Sequence, residues 1–418
     1  MRHTLPGERV RARITDGSDG DRFWRADAVE VLMPSADRVA PPCLYAGPGL
    51  CGGCDWQHAS QTAQRQLKAT VVAEQLQRLA GIEWDVVVEP VGSDGSFPSS
   101  TGKRVSAGSL PSSTGKRVSA EFGWRTRVTY AVDAQGRAGL RGHRSHDIVP
   151  VDTCLIAHPG VRSLGVESRR WPAGSSVEAV ASSTGERFVV VAGPGSAKRL
   201  PKLGPDVSMV RSGDDGTLER LHGRTHVTER AAGRSWRVTG GGFWQVHPGA
   251  ADTLVGAVLD ALDPQPGETA LDLYCGVGLF AGALAGCLGT DGSVLAVDGA
   301  RQAVADARRN LHDQPGVELV AGRVERVLGR PEAPATADLV VLDPPRTGAK
   351  AAVVSAVARR APRAIAYVAC DPAALARDLA TFAELGYALT GLRAFDLFPM
   401  THHVECVVTL HPVPPARS

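Results

Sequence analysis

The 418-residue chain has no apolar run approaching the ~20 residues that a membrane-spanning helix needs. Its first twenty residues are polar throughout, so no secretory leader is expected and a cytoplasmic location is expected. Thiols stay reduced there, which excludes a disulfide framework for the eight cysteines and leaves metal binding, catalysis or core filling. Excess charge is lacking too. Lys and Arg number 46 against 44 Asp and Glu, a formal net charge of +2 that by itself points to no polyanionic partner. The distribution is uneven, with nine basic and two acidic residues between Thr101 and Ser145. A solvated loop surface accounts for such a stretch as readily as a nucleic-acid face does.

What is present suffices for substantial cores, with 43% hydrophobic residues, and the length suggests two or three domains. GERVRARI and WRADAVEVL alternate apolar and polar residues, as short strands do. From Asp55 to Ala80 the pattern turns helical, with Ala59, Ala63, Leu67, Val71, Leu76 and Leu79 near one stripe and Gly81 as the stop. A Ser/Gly/Pro-rich stretch follows, in which PSSTGKRVSA occurs at 98–107 and again at 111–120; a flexible loop is expected over 92–120. Strand-like segments, FVVVAG the clearest, run from Trp124 to about Arg237. Beyond Gly240 apolar runs alternate with helical stretches such as RQAVADARRNLHD, which implies a mostly parallel sheet with helices on both faces.

LDLYCGVGLF (271–280) reads as a buried strand, a Gly-rich turn and a helix; Gly276 and Gly278 let backbone approach a ligand. Asp298 ends the next strand, about twenty residues on, where an acid can accept both ribose hydroxyls. That pairing suits a nicotinamide dinucleotide or S-adenosylmethionine. Ala281 in place of the third fingerprint glycine, and a further strand ending in DPPR (Asp343–Arg346), favour the latter. All three segments are expected at the carboxyl edge of one sheet.

In this order the chain carries GFWQVH (242–247), LDLYCGVG, AVD, LDPPR, VACDPAALARD (368–378) and HHVECVVTL (402–410). On these motifs it resembles the TrmA-type RNA uracil-5-methyltransferases over essentially its whole length. The resemblance implies an α/β fold: a C-terminal Rossmann-like class I methyltransferase domain (236–413), a β-rich central domain (41–235) and a small N-terminal OB-like, TRAM-type segment (1–40), shortened at its start. It also implies S-adenosylmethionine as cofactor, held by Gln245, Tyr274, Leu279, Asp298 and Asp343, and a structured RNA, tRNA or rRNA, as partner, with no membrane and no protein partner evident. Core packing is the competing reading for Tyr274.

Amine methyltransferases place an aromatic residue after Asp-Pro-Pro, where this chain has Arg346; a carbon target is expected instead. Uracil C5 accepts a methyl only after a thiolate adds at C6, and a base must then remove the C5 proton. Cys370 ends a strand ahead of Asp371-Pro372 and a helix, where the N–H groups and dipole would lower its pKa. Glu405, just inside the last strand among apolar neighbours, is the expected base, its pKa raised by burial. The competing readings are a structural cysteine and a strand-end ion pair. RNA cytosine-5 methylation and a non-catalytic RNA-binding iron–sulfur protein are the alternative functions. The basic WRTRVTY segment gains weight as a phosphate-contacting surface.

Cys43, Cys51 and Cys54 form C-x7-C-x2-C, a ligand arrangement that needs a fourth thiolate. The resemblance places Cys154 there, as the fourth ligand of a 4Fe–4S cluster. Spacing alone equally suits zinc.

Overall fold

The computed structural model describes residues 1–92, 122–194, 200–213 and 215–414. The loop expected at 92–120, with both PSSTGKRVSA copies, lies outside the described residues apart from Gly92. Strands β1 (Arg9–Asp16) and β2 (Arg25–Met33) pair as an antiparallel ribbon, as the alternation predicts. Helix α1 (Gln61–Ala80) starts later than Asp55, because the Ser60 side chain caps it by accepting from Ala63 N at 3.3 Å. Gly81 ends it in the left-handed conformation (φ 65°). The buried face is rotated from the expected stripe: Val71 and Leu79 are exposed, whereas Gln64, Lys68, Val72 and Leu76 are buried. Two polar residues occupy that face because they have partners there. Lys68, with no exposed surface, donates from Nζ to Asp396 Oδ1 at 2.6 Å, and Gln64 bonds Met400.

After the short β3 (Val88–Pro90), the central part folds as β4 (Arg127–Val132), β5 (Ala138–Arg141), β6 (Ile148–Pro150), the one-turn α2 (Pro159–Arg162), β7 (Ser176–Ala181), β8 (Arg187–Ala192), β9 (Val207–Ser212) and β10 (Leu218–His222). These strands form a sheet in the order β10-β9-β8-β7-β4-β5-β6. Tyr130, Trp171, Val189 and Val191 help build its core. A ribbon of β11 (His226–Ala231) and β12 (Arg234–Thr239) leads out of it.

The remainder runs α3 (Ala250–Leu262), β13 (Thr269–Leu273), α4 (Leu279–Leu288), β14 (Ser293–Asp298), α5 (Arg301–Asn310), β15 (Val317–Ala321), α6 (Val324–Leu328), β16 (Leu339–Leu342), α7 (Lys350–Ala358), β17 (Ala364–Ala369), α8 (Pro372–Glu384), β18 (Tyr387–Asp396) and β19 (Glu405–Pro412). The sheet order is β15-β14-β13-β16-β17-β19-β18-β3. β13 to β17 are parallel, and β19 is inserted antiparallel to β17 and β18. Apolar clusters fill both faces, the expected doubly wound arrangement. The consequence for function is geometric. β13, β14, β16 and β17 all end at the edge where β19 begins.

Candidate active site and cysteine cavity

The pairing of β13 with its neighbours is Leu273↔Val297 and Leu273↔Leu342, so the next residues, Tyr274, Asp298 and Asp343, emerge side by side. Tyr274 turns sharply at φ 69°, and its N–H donates to Val297 O at 2.8 Å. Its half-buried ring packs against an apolar cluster, and burial pushes the phenol up to about 12. Gly276 has φ 55°, and a Cβ there would meet open space, whereas one on Gly278 would lie 2.8 Å from Leu311. The first glycine therefore leaves room for a ligand, and the second lets α4 pack. Asp298 accepts from Gly276 N (2.9 Å) and Ala300 N (2.7 Å), one bond per carboxylate oxygen, which leaves a lone pair on each. Leu279 opens α4 inside the core, and Gln245 is half-buried in the loop after β12.

One acid at this edge escapes a motif reading. Asp272, in the middle of LDLYCG, has no exposed surface; Oδ2 accepts from Ala281 N at 2.7 Å, but Oδ1 is buried with no partner among the described residues. Its position inside a strand that otherwise reads as core is the available signal. Burial, with the charges of Asp343 and Asp298, raises its pKa from 3.8 to about 8. Burial and Asp298 raise Asp343 to about 7. Three clustered carboxylates suit a ligand that brings positive charge, and S-adenosylmethionine carries a sulfonium and an ammonium group.

β17 pairs with β19 through Ala369↔Cys406, which sets Cys370, one residue past the strand, opposite Glu405. Glu405 is 4% exposed, and burial first, then the Asp343 charge, push its pKa well above the carboxylate range. The expected lowering of the Cys370 pKa is not found. Burial, reinforced by Glu405, raises the half-buried thiol to about 11, with Arg346 opposing. The helix N-terminus does not help because Asp371 caps α8, accepting from Ala374 N at 2.8 Å and placing its own carboxylate there. Cys275 and Cys406 are buried, as expected of packing residues, while Cys287 is half-buried.

WRTRVTY is not an open basic surface. Arg127 is 7% exposed, donates to Gly242 O at 2.7 Å and lies 3.6 Å from Glu178, while Thr126 bonds Val246 O. The segment instead pins the loop that carries Gln245. In that loop Phe243 stands 70% exposed.

Cys43, Cys51, Cys54 and Cys154 line one cavity of about 390 Å³, together with Arg125, Tyr130 and His143. Gly53 N donates to Cys51 Sγ at 3.4 Å, and a Cβ on Gly52 would stand 2.5 Å from His143 N, so the C-G-G-C turn has no room for a side chain at that glycine. Tyr45 donates to Asp152 Oδ2 at 2.8 Å and so ties the first three cysteines to the segment of the fourth. Burial, with small opposing and reinforcing contributions, pushes Cys54 up to about 12 and raises Cys51 and Cys154. Among the described residues, no three His, Cys, Asp or Glu side chains converge on a single-ion position.

The tRNA (uracil-5-)-methyltransferase family model matches residues 334–413, and the methyltransferase small domain model matches 249–367. An RNA methyltransferase of Streptomyces avermitilis is 54% identical over 415 residues, 99% of this chain and 92% of that protein. The 23S rRNA (uracil(1939)-C(5))-methyltransferase RlmD of a Shewanella species is 29% identical, with 96% of this chain and 88% of that one covered. The crystal structure of the Pyrococcus abyssi tRNA (uracil-54, C5)-methyltransferase with S-adenosyl-L-homocysteine superposes with a TM-score of 0.66 at 23% identity, covering 97% and 94%. Fold and site define a class I S-adenosylmethionine-dependent methyltransferase. On its near full-length identity to the Streptomyces protein, the chain belongs to the RNA methyltransferase family.

The raised pKa values of Asp272 and Asp343 predict pH-dependent cofactor binding. Folding keeps Asp272 and Asp343 protonated above their ordinary 3.8, a contribution to stability that is lost as pH rises toward about 7 to 8. A cationic ligand favours the ionised forms. Titration calorimetry is expected to show S-adenosylmethionine affinity rising between pH 6 and 8 with proton release, and Asp272→Asn is expected to weaken binding roughly ten-fold and flatten that rise, a shift of about one pKa unit in energy. A pH-independent affinity in the unsubstituted protein would contradict this.

Proposed function

We propose that this enzyme methylates C5 of a uridine in structured RNA, tRNA or rRNA, with Cys370 as nucleophile and Glu405 as base. The observation that carries the proposal is the antiparallel register that sets these two residues opposite each other beside Asp343 and Arg346. The RlmD and archaeal similarities, both to enzymes named for uracil C5, support the target.

Gln245, Tyr274, Leu279, Asp298 and Asp343 are the proposed cofactor contacts, with Asp298 free to accept ribose hydroxyls through its remaining lone pairs. Bound there, S-adenosylmethionine supplies an electrophilic methyl. Cys370 Sγ, deprotonated under the influence of Arg346, adds to C6 and makes C5 nucleophilic. Once C5 is methylated, the Glu405 carboxylate takes the C5 proton as the C6–S bond breaks and the thiolate is regenerated. The environment that raises the Glu405 pKa makes its ionised form a strong acceptor. A base held in an RNA fold must swing out to reach this edge, and Phe243, exposed in the loop that carries Gln245, offers an aromatic face for stacking. Exposed Arg9, Arg13, Arg22 and Trp24 on the β1–β2 ribbon suit the phosphate contacts of a TRAM-type segment. The functional divisions proposed are 1–40, 41–235 and 236–413, with α1 and β3 of the second packed onto and paired into the sheet of the third, and the proposed location is the cytoplasm; no helix among the described residues is long and apolar enough to cross a membrane.

The four-thiol cavity is proposed to hold a 4Fe–4S cluster in preference to zinc. The preference rests on the family resemblance, since four thiolates lining one cavity would suit tetrahedral zinc as well. Cys43, Cys51, Cys54 and Cys154 would hold the cluster, in a structural role, since methyl transfer needs no redox step.

Wild-type enzyme given 5-fluorouridine RNA and S-adenosylmethionine is expected to form a covalent complex that survives denaturing electrophoresis, because C5 then has no proton to lose. Cys370→Ala should form none, and Glu405→Gln should accumulate an adduct even with ordinary uridine RNA. An active Cys370→Ala enzyme, or methylation of cytidine but not uridine transcripts, contradicts the proposal. Anaerobically purified protein should contain about four iron and four sulfide per chain, lost in Cys154→Ser; stoichiometric zinc without iron would contradict the cluster.

A further inference from the structure

The cysteine loop reaches the reaction centre through a continuous set of side chains. Asp55 follows Cys54 directly. Its Oδ2 accepts from the backbone N–H of His402 at 3.3 Å and from His402 Nδ1 at 2.6 Å. The His402 ring lies 4.2 Å, centroid to centroid, from that of His403. His403 Nε2 is 3.4 Å from Arg346 Nη2, and since a guanidinium only donates, that nitrogen is the acceptor and the ring proton sits on Nδ1. Burial, with His402 and Arg346 nearby, lowers His403 to about 4 and so keeps it neutral, able to accept. Arg346 is the cation that acts on both Cys370 and Glu405.

The backbone makes the same connection. Residues 397–404 join β18 to β19 and set where Glu405 begins. Asp55 N and Trp56 N both donate to Met400 O, at 2.9 and 3.0 Å, and Gln64 Oε1 accepts from Met400 N at 2.8 Å. Met400 is held at φ 68°, a left-handed conformation that costs a non-glycine residue energy and persists only when its surroundings over-determine it. The three hydrogen bonds supply that restraint, all from the cysteine loop and α1.

We propose that Asp55, His402 and His403 are positioning residues that hold the Arg346 guanidinium beside Cys370 and Glu405, so that the cysteine-cluster loop fixes the geometry of the reaction centre without taking part in the chemistry. This rests on the assignment of Cys370 as nucleophile and gives the cluster a function that needs no electron transfer. Hydrogen bonds and the close, tilted contact of the two imidazole rings carry the coupling, as outer-shell groups do elsewhere when they orient a reacting one.

The test uses the holoenzyme with its cluster loaded, and compares Asp55→Asn, His403→Leu and His403→Gln. Three quantities are read: kcat and KM for RNA, the rate of covalent complex formation with 5-fluorouridine RNA, and the visible absorbance of the cluster. Asp55→Asn and His403→Leu are expected to lower kcat and the adduct rate roughly 10- to 100-fold, the scale of a displaced reacting group, with KM and absorbance essentially unchanged. His403→Gln, which keeps an acceptor for Arg346, should recover most of the rate. Should Asp55→Asn lose its cluster, the His403 pair decides alone, because that side chain is a further link from the thiols. Unchanged kcat in His403→Leu, equal loss in the Leu and Gln variants, or an effect on KM alone overturns the proposal. Adduct formation by a parallel Cys370→Ala control would instead refute the nucleophile, so the two failures are distinguishable.

Discussion

An antiparallel strand inserted into a parallel sheet is the constraint on which this site depends. In an all-parallel sheet every strand begins at the edge away from the ligand crevice. β19 runs the other way, so its first residue stands where its neighbours end, and Glu405 faces Cys370 across one strand spacing. Glu405 opens β19 after the 397–404 connection, and Cys370 follows the last paired residue of β17. Both are set by backbone pairing, the stiffest device a fold offers, which suits a reaction in which nucleophile and base act on adjacent ring atoms.

The electrostatics of the crevice are dominated by acids. Asp272, Asp298 and Asp343 crowd together at the ends of three adjacent strands, and the buried Asp272 Oδ1 has no partner among the described residues. The same negative surroundings work against thiolate formation at Cys370, and Asp371 uses the helix end for capping. Arg346 is the counterweight. Its place in LDPPR, where amine methyltransferases carry an aromatic ring, thus has an electrostatic reason.

Much of this was legible in the residues. Strand–helix alternation implied the doubly wound sheet, and the placement of Gly276, Asp298, Asp343, Cys370 and Glu405 at one sheet edge could be anticipated because each lies at or near the end of a short apolar run. Cys43, Cys51 and Cys54 were legible by type and spacing and Cys154 by the family resemblance, and the four line one cavity. The failures have a common cause, which is that tertiary partners outweigh local pattern. The α1 stripe was misjudged because Lys68 and Gln64 are buried against Asp396 and Met400, more than 300 positions away. WRTRVTY looked like a phosphate surface, yet Arg127 is consumed by Gly242 and Glu178. The Asp55–His402 link joins residues 347 positions apart, and no periodicity announces it. Asp272 hid within an apolar run because an acid there reads as an exception to core packing, its partner being the start of α4 at Ala281.

The central claim is that a thiolate at position 370 activates a uridine carbon whose hydrogen must leave. Transcripts labelled with tritium at uridine C5 test it most directly. The account predicts one tritium released to water for each methyl incorporated, with both lost in Cys370→Ala. Methyl incorporation with the label fully retained would contradict it.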